Sequence, residues 1–340
     1  VLTNATVHAS PGQTFEEASV YIKDGRIEAI VRPRDSRIPL GGGYRAWDCT
    51  GLHIYPGFID AFVEVDAPRP PRDAPGLHWN NRVTPQRSAL AGPGISADAA
   101  EGLRKLGFAA AAIAPNGPGI FRGTSAVVSL ARPPEEQSAA RPPVYLDAPY
   151  HTLAFDTTAI DAPPRGAPAD STRWTGYPNS QMGAIALIRQ TFIDSDWQAQ
   201  ARGGGADIGD FNALDSLWQG RTPGRPAPMP PQNMRIHYQS NPQPQIPLAF
   251  TVDDEVEALR AIKIAGEFSR VPLIIGSGLE FRRLDAISGP DKSAYIIPLN
   301  FPKPPNVSSL GAAESTDLRD LMTWEQAPTN PRRLDEAGLT

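Results

Sequence analysis

Cysteine is almost missing from this 340-residue chain: Cys49 is the single one, which excludes an internal disulfide. Histidine is scarce too. His8, His53, His78, His151 and His237 are the whole supply, and no two are spaced as His-x-His or as i, i+4 on a helix, the patterns that converge two imidazoles on a catalytic metal. No apolar run approaches the roughly 20 residues needed to cross a bilayer, so no membrane span is expected. Lysine and arginine are outnumbered, 32 against 37 acidic residues, and are not gathered on any helix face, which argues against a nucleic-acid partner. These absences predict a soluble protein and leave its compartment open between cytoplasm and periplasm.

What is abundant is proline. The 37 prolines are about twice ordinary usage, clustered in DAPRPPRDAPG, ARPPEEQSAARPP and TPGRPAPMPPQ, which read as long stiff loops. With 40% hydrophobic and 20% charged residues the chain still has the composition of a folded protein. Its first fifty residues read as short strands, with Asp24-Gly25 as a two-residue hairpin turn between the apolar positions Val20, Ile22 and Ile27, Ile30. From His53 onward buried β-runs alternate with helical segments, the signature of βα units around a parallel sheet. Strands are expected at Ile54–Ile59, Ala109–Ala114, Ser125–Leu130, Ile246–Thr251, Pro272–Ile275 and Ala294–Leu299. The clearest unit is IPLAFT, then the helix DDEVEALRAIKIAGEFSR, then VPLIIG, with Asp253 or Asp254 capping the helix start. A second helix is expected over Ser180–Gln200, facing inward through Met182, Ile185, Ile188, Phe192 and Trp197, and a short one within FNALDSLWQG.

The step between the two regions is TGLHIYPGFID, Thr50–Asp60. In this phrase, and in VYIKDGRIEAIV (Val20–Val31), GIFRGTSAVVSL (Gly119–Leu130), YPNSQMGAIALIRQTFIDSDW (Tyr177–Trp197) and LMTWEQAPTNPRRL (Leu321–Leu334), the chain resembles the amidohydrolase superfamily, especially its imidazolonepropionase-like branch. The resemblance implies an α/β fold, with part of a small β-sandwich over residues 1–52 followed by a TIM-like (β/α) barrel over 53–340. It also implies hydrolysis of non-peptide C–N bonds by bound metal. The eighth barrel strand would begin at about Gly338, so the barrel is expected to be incomplete.

The family pattern puts a His-x-His pair just after the aspartate of PGFID. Here AFVEV stands there, with Phe62 and Glu64 at the ligand positions. Later strand ends, where further histidines are expected, carry Phe250, Thr251, Gly276 and Ser277. One reading is therefore a catalytically degenerate module, without metal of its own, that serves as a structural or interface half beside a second amidohydrolase-like module or chain. The other is an active hydrolase whose carboxylates Asp60, Glu64 and Asp66 hold a divalent metal such as zinc. Arg122, beside Gly123, can pair with a substrate carboxylate, and His151 is the remaining candidate contact to a small amide or lactam. Trp174 and Tyr177 are placed to cover a pocket mouth.

Overall fold

In the computed structural model the described residues are 1–33, 35, 43–71, 73–132, 142–158, 160, 177–203, 213–219, 246–289 and 293–339. Trp174, His237 and most of the proline-rich stretches lie outside them. The chain divides into two compact units, one of Val1–Ile59 with Gly107–Ala109, the other of Asp60–Leu106 with Ala110–Thr340.

The first unit holds β1 (Leu2–Ser10), β2 (Gln13–Lys23), β3 (Arg26–Val31), β4 (Trp47–Asp48) and β5 (His53–Ile54) in one five-stranded sheet. β1 is its centre, antiparallel to β2 and parallel to β4 and β5. Asp24 and Gly25 both have positive φ, +50° and +74°, the conformation that matches a two-residue turn to strand twist. The expected hairpin β2–β3 closes there at Lys23 and Arg26. Ala5, Val7, Ala18 and Val20 form the buried cluster, whereas Ile22 and Ile27 pair with each other on the exposed side, beyond a register shift at Tyr21–Ile22.

The second unit is built on a seven-stranded sheet in strict sequence order: β6 (Phe58–Val65), β7 (Phe108–Pro115), β8 (Phe121–Ser129), β9 (Val144–Ala154), β10 (Leu248–Thr251), β11 (Leu273–Ile275) and β12 (Ala294–Ile296). Its helices are α1 (Ala97–Lys105), α2 (Gln181–Gly203), α3 (Asp215–Gln219), α4 (Glu255–Glu267), α5 (Leu284–Ile287), α6 (Leu310–Glu314), α7 (Leu318–Gln326) and α8 (Asn330–Glu336). β9 through β12 are parallel, as expected of βα units. β8 is not: it runs antiparallel to both β7 and β9. Only Asn116–Ile120 separate β7 from β8, and a parallel return needs a crossover of a dozen or more residues, so the glycine-rich phrase there makes a hairpin. This is a mixed α/β half-barrel with β6 and β12 as its edges among the described residues.

Two further features have local causes. The first barrel strand starts at Phe58, after Pro56-Gly57, and runs through AFVEV, while His53–Ile54 belong to the first sheet. The eleven-residue β9 holds Pro149, which reads as a breaker; Ala148 at φ +51° and register shifts against β8 absorb it. Ser125 completes the repair, its hydroxyl donating to the Tyr150 carbonyl at 2.8 Å and accepting from the Tyr150 amide at 3.1 Å.

The helices pack through small residues more than through large ones. α4 is capped by Asp254, whose carboxylate accepts from the amides of Val256 and Glu257 at 2.9 and 2.7 Å. Its buried face is Ala258, Ala261, Ile264 and Ala265. α2 buries Ala184, Leu187, Ile188, Thr191, Phe192 and Ser195, a stripe at helical period, while Met182 and Trp197 of the expected face are 80% and 64% exposed. Both helices pack on a cluster containing Phe121, Leu153, Leu248, Phe250 and Ile274 on the outward face of the sheet.

Candidate functional site

Side chains alternate along a strand, so β6 sends Asp60, Phe62 and Glu64 to the face opposite Val63 and Val65. Val63 and Val65 join Ala89, Ile113, Ala126 and Val128, whereas Phe62 packs with Ala112, Ala114, Tyr150, Ala249 and Ile275 on the inner face of the half-barrel. The positions that the family resemblance assigns to His-x-His therefore lie on the inner face, and a hydrocarbon ring fills the first.

The three carboxylates do not meet. Asp60 and Glu64 are four residues apart on an extended strand, about 13 Å, and each is engaged separately. Asp60 accepts from the Phe62 amide at 3.1 Å. Glu64 pairs with Arg122 at 3.3 Å, and Asp66 accepts from the Asn116 side-chain amide at 2.6 Å. Tyr150, within the inner cluster, donates its hydroxyl to the Ala61 carbonyl at 2.9 Å. Burial, reinforced by the Asp60 charge and only partly offset by Ser125, pushes its phenol well above the usual range.

Glu64, Arg122 and Asp66 do converge with residues whose role the sequence did not signal, at the ends of β6, β7 and β9 and the start of β8. Arg122 also faces Asp156 at 3.6 Å, and Asp156 accepts from the amides of Gly119 and Thr158 at 2.8 and 2.7 Å. Burial would raise the Asp156 carboxyl, but the Thr158 and Gly119 hydrogen bonds and the Arg122 charge outweigh it and hold the group below the ordinary carboxylate range. Arg87, 5% exposed, donates to the carbonyls of Ala67, Asn116 and Arg122 at 2.8, 3.3 and 3.3 Å. Burial first, then the neighbouring Arg69 and Arg122 charges, lower its pKa to about 10. Arg69 donates to the Pro118 carbonyl. Gly123 makes the close approach possible: at φ +122°, any Cβ there would collide with the Arg87 carbonyl. Asp156 was missed from the sequence, although the apolar run ahead of it, TLAF, matches the LAFT and LIIG runs that end other strands and could have pointed to it.

Chemically this is a guanidinium–carboxylate lattice. Arg122 is paired with Glu64 and Asp156, whereas Arg87 is held by backbone carbonyls, so Arg122 reaches a substrate carboxylate only by releasing Glu64 or Asp156. His151 lies elsewhere. It is 1% exposed on the outward face of β9, and its Nε2–H donates to the Ser216 carbonyl at 2.8 Å. Desolvation, partly offset by that bond, lowers its pKa to about 4, which keeps it neutral. At the ends of β11 and β12 an open cleft of about 240 Å³ is lined by Gly276, Ser277, Leu279, Pro298 and Phe301. Glu280 beside it is fully buried, its carboxylate accepting from the Ser277 amide at 2.7 Å and the Asn330 side chain at 2.6 Å. Tyr177 donates to the Gly183 carbonyl at 3.1 Å and stacks against Trp79. Among the described residues no three His, Cys, Asp or Glu side chains gather as a metal cluster, and no helix is long and apolar enough to cross a membrane.

The crystal structure of an amidohydrolase from Thermotoga maritima MSB8 is similar to this chain, with a TM-score of 0.57 and 19% sequence identity over 95% of this chain and 76% of that one. At that identity the likeness establishes the fold. No family profile and no curated protein matches the chain.

Proposed function

We propose that this chain is a degenerate module of the amidohydrolase superfamily, of its imidazolonepropionase-like branch, with residues 1–52 as part of the family's β-sandwich. It acts as a structural or interface half beside a catalytic module, on the same polypeptide or a second chain, that hydrolyses a non-peptide C–N bond of a small amide or lactam. The observation that carries this reading is Phe62. Its ring is packed into the inner core where the resemblance calls for an imidazole, and a phenyl group offers a metal no lone pair. Glu64, the other position, is paired with Arg122. This donor set does not fit a tightly held zinc ion.

The retained framework supports the same reading, because the chain keeps an amidohydrolase fold over nearly all its length. The test is hydrolysis of a panel of amides and lactams by the purified chain, with and without chelator. The expected result is no chelator-sensitive turnover. Turnover that is abolished by chelator and by Glu64→Ala would overturn the proposal in favour of a single-metal, carboxylate-based site at Asp60, Glu64 and Asp66.

A further inference from the structure

The first unit brings together two histidines that are 45 residues apart in the chain. Thr6 pairs with His53 across β1 and β5, and His8 pairs with Thr14 across β1 and β2, so His8 stands between Thr14 and His53. His8 Nδ1 lies 3.1 Å from the Thr14 hydroxyl and His8 Nε2 lies 2.9 Å from His53 Nδ1. Tyr55 stacks on the His8 ring, with centroids 4.3 Å apart and planes 2° from parallel. His8 is half-buried, while His53 and Tyr55 are exposed.

We propose that His8 and His53 form a two-imidazole site for a borderline divalent cation, Zn²⁺ or Cu²⁺. With metal–nitrogen bonds of 2.0–2.1 Å, two nitrogens on one tetrahedral ion are about 3.3 Å apart, so the observed 2.9 Å pair needs to open by only a few tenths of an ångström. Thr14 plays the orienting part that hydrogen-bond partners play around bound imidazoles: as acceptor from His8 Nδ1–H it fixes the tautomer that leaves the Nε2 lone pair toward His53. Tyr55 fixes the ring plane. His53 contributes Nδ1 once its proton sits on the solvent-facing Nε2, and water completes the coordination. Imidazole donors favour zinc and copper over magnesium or calcium.

The experiment uses the full chain and the metal ions alone. Equilibrium dialysis with Zn²⁺ is expected to find an ion lost from His8→Ala and His53→Ala but retained in His237→Ala. Thr14→Val should weaken that binding by about tenfold, the lower end of the effect of an orienting partner. Electron paramagnetic resonance of the Cu²⁺ form should show two nitrogen ligands, falling to one in either alanine variant. In the unaltered chain, Zn²⁺ should shift the ¹⁵N resonances of His8 Nε2 and His53 Nδ1 ahead of any other imidazole. Binding indifferent to both substitutions, or ring resonances at His8 and His53 that do not respond to Zn²⁺, would overturn the proposal.

Discussion

The two halves of the seven-stranded sheet differ in kind. From β9 to β12 the strands pair in parallel, β10 to β12 are short and apolar, and the crossover through α4 covers the sheet largely with alanines. From β7 to β9 they are antiparallel, long and bulged, and their ends carry the lattice of Glu64, Arg87, Arg122 and Asp156. The parallel half is held chiefly by burial, with Asp254 capping the helix that covers it. The antiparallel half needs specific polar repairs, so its backbone irregularities and its charged groups occur together.

The largest expected effect breaks the parallel half. Phe250 is fully buried on β10, and Phe250→Ala should cost about 3–5 kcal/mol in denaturant unfolding through transfer and cavity terms. His151, on the strand where the halves meet, tests burial through pH. Its folded pKa of about 4 lies below the unfolded value near 6.5, so the unfolded state takes up the proton first and stability falls as pH drops from about 6.5 to about 4. The loss should be roughly 3 kcal/mol, complete below pH 4, and should vanish from the pH–stability curve of His151→Gln.

Ser125→Ala probes the repair in the antiparallel half. It strips the Tyr150 backbone of both hydrogen bonds to the Ser125 hydroxyl and should cost about 1–3 kcal/mol, with Ser125→Thr restoring most of it. Asp254→Ala, at the start of the helix that closes the parallel half, should cost about 1 kcal/mol. If Asp254→Ala proved more costly than Ser125→Ala, the contrast between a burial-held half and a repair-held half would fail.

The parallel half was legible because IPLAFT, the α4 segment and VPLIIG each agree with one period, and a cap at Asp253 or Asp254 followed from residue chemistry, with Asp254 the one that serves. The antiparallel half was not. β9, with Pro149 inside it, was not among the expected strands and is held by the service of Ser125 to its backbone, and the direction of β8 follows from the length of its connection, not from its composition. The inward face of α2 was read correctly at Ile185, Ile188 and Phe192 but wrongly at Met182 and Trp197, because large apolar residues outweighed the stripe of Ala184, Thr191 and Ser195 that the packing also uses. At the candidate site, Arg122 and Glu64 were singled out separately, yet their pairing and the parts of Arg87 and Asp156 depend on contacts across strands. The His8–His53 contact was equally hidden, since no local spacing encodes a pairing of β1 with β5.

The central claim is that the inner end of β6 cannot grip a catalytic metal, because Phe62 is core and Glu64 is committed to Arg122. It is tested most directly by metal analysis of the chain carrying His8→Ala and His53→Ala, which removes the first-unit site from the count. The account predicts well under one zinc ion per chain, with no change on adding Glu64→Ala. One or two ions per chain, lost when Glu64 is replaced, would contradict it.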